Sequence, residues 1–66
     1  MKIQIINLGR NNINMTAEFK NEKALHKEIG RHLLSRNWEI ESSETEGTYH
    51  VYAGFRNVGT LKVLEP

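Results

Sequence analysis

The chain has 66 residues, 38% of them hydrophobic, and nine Lys and Arg against eight acidic residues give a formal net charge of +1. That length holds one domain with a small core, and with no cysteine neither a disulfide nor a thiolate zinc site can reinforce it. All the acids are glutamate, which removes mechanisms that need aspartate; no run approaches the ~20 apolar residues of a membrane span, and the charge balance lacks the strongly basic signature of an electrostatic nucleic-acid binder. A soluble, cytoplasmic chain without membrane contact is expected.

Residues 2–8, KIQIINL, are β-branched and apolar, and Gly9-Arg10-Asn11-Asn12 tolerates positive φ, so a strand and a tight turn are predicted. In the following NINMTAEFK, Ile13, Met15, Ala17 and Phe19 alternate with Asn14, Thr16, Glu18 and Lys20, the period-two pattern of a strand with one buried face. Residues 2–20 therefore read as a hairpin. Asn21 is a suitable N-cap, and from Glu22 the period changes: Leu25, Ile29 and Leu33 recur every four residues, predicting a helix to about Arg36, stopped at Asn37. Gly30 within it is expected to permit close packing on the sheet. Glu22 with His26 and Glu28 with His32 are helix-supporting pairs at i,i+4 spacing.

Trp38, Ile40 and Ser42 alternate with Glu39, Glu41 and Ser43 in a third strand, which fades into the polar turn Ser43 to Gly47. A fourth strand follows over roughly Thr48 to Phe55, Asn57-Val58-Gly59 punctuates, and a fifth runs from Thr60 to Leu64. The order is ββαβββ, which predicts a single α+β domain spanning residues 1–66: an antiparallel sheet of about five strands with one helix packed on one face.

A lone helix leaves the other face of the sheet open. Alternation assigns Ile3, Ile5, Ile13, Met15, Ala17, Phe19, Trp38, Ile40, Val51, Ala53, Leu61 and Val63 to the covered face, with Tyr49 and Phe55 on the same side. The open face receives Lys2, Gln4, Ile6, Leu8, Thr16, Glu18, Glu39, Glu41, His50, Tyr52, Thr60, Lys62 and Leu64. Ile6, Leu8, Tyr52 and Leu64 are more apolar than a solvated face requires, and apolar patches mark partner contacts; a bulge at Ile5-Ile6 that turns one of them inward is the alternative. Leu34, almost opposite Leu25 and Ile29 on the predicted helix, is a second apolar outlier.

Chemistry-bearing motifs are sparse. The chain contains no GxSxG, Walker loop, dinucleotide fingerprint or HExxH. His26 and His32 stand about 120° apart around a helix, so they cannot readily share an ion, and Glu39 and Glu41 read with Glu44 and Glu46 as a solvated charge run that protects a sheet edge. Neither a catalytic residue, a metal site nor a cofactor is expected. The segment GTYHVYAGFRNVG, residues 47–59, concentrates aromatic and basic side chains, but it lacks the leading basic residue and following glycine of an RNA-recognition strand.

Two binding roles follow. The first is a non-catalytic interaction protein that meets a protein partner, or a second copy of itself, through Ile6, Leu8, His50, Tyr52 and Leu64, with Tyr52 as the anchor. The second is a weak nucleic-acid-binding module that uses Tyr52, Arg56 and Lys62 together with the basic helix stripe Lys23, Lys27 and Arg31. The second role requires Arg56 and Lys62 to cluster away from the acidic run.

Overall fold

Alternation in the first twenty residues, a cap before the four-residue apolar repeat and β-branched residues thereafter sort the chain into the expected elements. The computed structural model, which describes residues 1–66, contains β1 (Lys2–Leu8), β2 (Ile13–Glu18), α1 (Glu22–Arg31), β3 (Trp38–Ser42), β4 (Thr48–Ala53) and β5 (Arg56–Glu65). The strands form one antiparallel sheet in the order β2-β1-β5-β4-β3. The fold is α+β, as the pattern predicts. β5 lies at the centre and joins the N-terminal hairpin to the β3–β4–β5 meander, and one face of the sheet carries the helix.

The core lies between that face and α1. Ile3, Ile5 and Leu8 of β1, Val51 of β4, Leu61 of β5 and Leu25 and Ile29 of the helix are buried, with Met15, Phe19, Trp38, Ile40 and Tyr49 among the half-buried residues packed around them. Each buried aliphatic side chain contributes about 1.5–3 kcal/mol. Asn21 caps the helix, its Oδ1 accepting the Ala24 N–H at 2.9 Å. Trp38 closes the other half: its ring lies 5.3 Å from that of His26, centroid to centroid, and beside Gly30.

Leu8 corrects the open-face assignment. Ile5 pairs with Met15, but the next pair is Leu8 with Ile13, so two residues of β1 oppose one of β2. Asn7 is the extra residue, at φ 51°, a left-handed conformation that asparagine tolerates better than most side chains. The Asn14 Oδ1 accepts its displaced N–H at 3.1 Å. The inserted residue resets the alternation, and Leu8 turns from the open face into the core, where it is fully buried.

Three other boundaries move. The helix ends at Arg31 rather than near Arg36: His32 and Leu33 make tight terminal bonds to Ile29 and Gly30 carbonyls, and the Ser35 hydroxyl takes the Asn37 N–H at 3.1 Å. Leu34 therefore sits in a loop, 80% exposed, and not on the helix. β5 begins at Arg56, earlier than Thr60, because Val58 is a bulge: Val51 pairs with Gly59 and Tyr52 with Asn57. A two-residue turn at Gly54-Phe55 joins β4 to β5, with Gly54 at φ +67° as a II′-type first position demands. That turn ejects Phe55, which alternation assigns to the core, into full solvent exposure.

Candidate functional site

The open face does not gather its apolar residues into one patch. Pairing sets Glu41, His50, Thr60 and Ile6 in one cross-strand row and Glu39, Tyr52 and Asn57 in another. Thr48, Lys62, Gln4 and Thr16 form a third. Ile6 is half-buried beside Thr60, Leu64 projects from a bulge between Val63 and Glu65 at the far end of the face, and Leu8 has left it. What remains ordered is polar. The Asn57 Oδ1 accepts the Gly59 N–H at 3.0 Å, which turns its amide nitrogen toward the His50 Nδ1 at 3.3 Å. The Thr60 hydroxyl also lies 3.3 Å from Nδ1, and Tyr52 meets the imidazole edge to face.

Arg56 and Lys62 do not cluster. They lie six residues apart on β5, roughly 20 Å along an extended strand, and Arg56 pairs with Ala53, which places it on the helix side. Lys23 and Lys27 are exposed on α1, and Arg31 is held by Glu28 at 3.0 Å. The helix stripe and the sheet cations thus form no common surface, and the condition set for a nucleic-acid site built on Arg56 and Lys62 is not met.

A different grouping emerges from the direction of the elements. β1, α1 and β4 run toward the same end of the molecule, so the β1–β2 turn, the α1–β3 connection and the β4–β5 turn meet there. All four arginines of the chain, Arg10, Arg31, Arg36 and Arg56, are on or beside these three connections, whereas all five lysines lie elsewhere. Gly9 fastens the assembly. Its N–H donates to the Val58 carbonyl at 2.8 Å, and its α-carbon approaches the His32 carbonyl so closely, at φ +74°, that a Cβ would collide with it.

Three adjoining hollows wrap this end. The largest, about 620 Å³, runs between Arg10, Leu34, Asn37 and Arg56. It shares Arg10, Leu33 and Leu34 with a second hollow that reaches Arg31, and Asn37 and Gly54 with a third that reaches Arg36, Glu39 and Tyr52. Together they make a track from the helix side to Tyr52 on the open face. Arg10, Arg36 and Arg56 are exposed and form no ion pair or side-chain hydrogen bond. Arg31 and His32 share Glu28, and these contacts, the His32 bond above all, hold the Glu28 carboxyl below its ordinary range against the opposing effect of burial. Phe55 projects from the tip of the β4–β5 turn between Gly54 and Arg56, wholly exposed.

Glu18, Glu22, Glu44, Glu46 and Glu65 belong to the opposite end, interleaved with Lys2, Lys20, Lys23 and Lys62. That end also holds an apolar cleft of about 540 Å³ between the first half of α1 and the sheet, lined by Ile3, Leu25, Ile40, Tyr49, Leu61 and Val63, with Glu22 and His26 at its rim. It is the part of a five-stranded face that one ten-residue helix leaves uncovered. Nowhere do three His or Glu side chains converge as metal ligands would. No protein-family model, curated protein or solved structure matches the chain.

Sequence reasoning singles out Arg31, Arg56 and Tyr52 but overlooks Arg10, Arg36 and Phe55, which belong to the same end. Each sits in a turn or connection, where periodicity carries no information.

Proposed function

We propose that the protein is a non-catalytic binding module that receives an anionic partner on its arginine end. The observation that carries this reading is the convergence of every arginine on three neighbouring connections, with three guanidinium groups left without a partner of their own. Arginine suits the role better than lysine because its planar fork binds carboxylate and phosphate oxygens in pairs and is less strongly hydrated. Lys2, Lys20, Lys23 and Lys62 instead lie toward the other end, in a region that also holds Glu18, Glu22, Glu44 and Glu46. Self-association through the open sheet face has less support, since Leu8 lies in the core, the polar Thr60 and Asn57 of β5 lie between Ile6 and Tyr52, and the row Thr48, Lys62 and Gln4 lies between Ile6 and Leu64.

Retention on a heparin resin tests the reading. Arg10→Ser/Arg56→Ser should elute at clearly lower salt than the parent chain, whereas Lys20→Ser/Lys23→Ser, with the same loss of charge at the opposite end, should elute close to it. Equal shifts for the two variants would mean that net charge alone governs retention and that the arginine end is not a site.

A further inference from the structure

We infer that the anionic partner is a single-stranded nucleic acid, which rests on the binding role proposed for the arginine end. The charge explains attraction to any polyanion; the aromatic groups narrow the choice. Phe55 is completely exposed at the tip of a tight turn. The turn geometry requires only Gly54 there and gives no reason for a phenyl ring at the next position. Arg56 follows it directly, and Tyr52 lies where the track meets the open face. Two aromatic rings at the margin of a guanidinium-lined track form the combination that holds single strands: cations follow the phosphates while rings stack on successive bases.

Other polyanions use less of this surface. A duplex keeps its bases stacked on one another and offers a projecting ring no free face. An acidic peptide satisfies the arginines but has no planar groups for Phe55 and Tyr52. The curvature of the track is consistent with a flexible strand, since the three hollows pass around the end of the domain instead of along one flat face. Glu39, beside Tyr52 in the last hollow, limits how far phosphates extend in that direction and leaves the Tyr52 end to a base.

Fluorescence anisotropy tests the assignment, with labelled oligothymidine and oligouridine of about 12 nucleotides, within the site sizes of small single-strand binders. A duplex of the same length and a polyglutamate peptide serve as comparators. Single strands should bind more tightly than the duplex, and Phe55→Ser should weaken them by roughly 5- to 150-fold, the range for losing one base–aromatic stack. Phe55→Tyr should restore binding. Arg10→Ser/Arg56→Ser should reduce the slope of log affinity against log salt by about 1.4, or ~0.7 for each phosphate no longer neutralised, while Phe55→Ser leaves that slope unchanged. Because Phe55 touches nothing in the core, the thermal transition of its variants should match the parent's, which separates loss of stacking from loss of the fold. Binding of polyglutamate but of neither oligonucleotide, or equal binding of duplex and single strand with Phe55→Ser neutral, would overturn this inference and leave the anion-binding role standing. Failure of every polyanion to bind would overturn both.

Discussion

Gly59→Ala examines the bulge that carries Leu8 into the core. Gly59 is buried on central strand β5, and a Cβ built on it would lie 2.7 Å from the Leu8 Cδ1 and 3.3 Å from the Leu8 Cα. The first distance is too short to persist and the second is tight, so Leu8 must change rotamer and the backbones must separate slightly. Overpacking of this kind costs about 1–3 kcal/mol. A domain this small has a total stability of roughly 3–10 kcal/mol, and each kcal/mol lost lowers Tm by roughly 4–8 °C. Leu8→Met alone, a swap that nearly conserves volume, should cost less than about 1.5 kcal/mol, and its unbranched chain can bend away from a new methyl group. The double variant should therefore be more stable than the sum of the two single effects implies, by at least about 0.5 kcal/mol, with the tight approach to the residue-8 backbone keeping the relief incomplete. Urea unfolding of the four proteins measures this coupling. Additivity within about 0.3 kcal/mol, or a neutral Gly59→Ala, would refute the packing of Leu8 on Gly59 and with it the inward placement of Leu8.

Two further predictions concern the helix. Gly30→Ala should raise stability by about 0.5–1 kcal/mol, because the new methyl would rest 3.7 Å from Trp38, an ordinary van der Waals distance, and alanine favours the helix; a lower urea midpoint would show that the Trp38 ring packs more closely. Glu28 should impose a pH dependence. Its folded pKa is depressed below the ordinary 4.5, with the His32 hydrogen bond the largest cause and Arg31 assisting. The stabilisation is thus present above the unfolded pKa and fades as pH falls through the lower folded value. For such a surface group it should stay within about 1 kcal/mol, and the stability difference between the parent and Glu28→Gln should shrink as the solution is acidified from about pH 6 to about pH 3. A difference that does not change over that interval would count against the pairing.

The strands with one covered face were legible because burial repeats every second residue. Ile13, Met15 and Ala17 alternate with polar neighbours, and each occupies the face assigned to it. The same rule failed at Leu8 and Phe55 because the regular alternation ends just before each. At Asn7 an inserted residue forms a bulge that reverses the face of Leu8, and at Gly54-Phe55 a turn that begins earlier than the apolar character suggests takes Phe55 out of the strand. Asparagine at position 7 is a local signal, since it accepts positive φ, but the adjacent isoleucines mask it. The early end of α1 was less accessible. It depends on the Ser35 hydroxyl and on the approach of Gly9 to the His32 carbonyl, which joins segments far apart in sequence.

The arginine end was within reach of the element order alone. In a chain whose successive elements run up and down, connections alternate between two ends, so the first, third and fifth must lie together. Those connections hold or border Arg10, Arg31, Arg36 and Arg56, while the second and fourth border Glu18, Glu22, Glu44 and Glu46. A net charge of +1 conceals this separation because it sums over both ends. Contiguous runs mislead for the same reason: Lys20 and Lys23 look continuous with Arg31 and Arg36, yet the intervening helix carries the two groups to opposite ends. A bound polyanion responds to the local field within a Debye length of about 10 Å, and that field depends on which connection a cation occupies. The parity of connections therefore bears on binding more directly than overall charge, and it groups Arg56 with Arg10 and Arg36 rather than with Lys62 on its own strand.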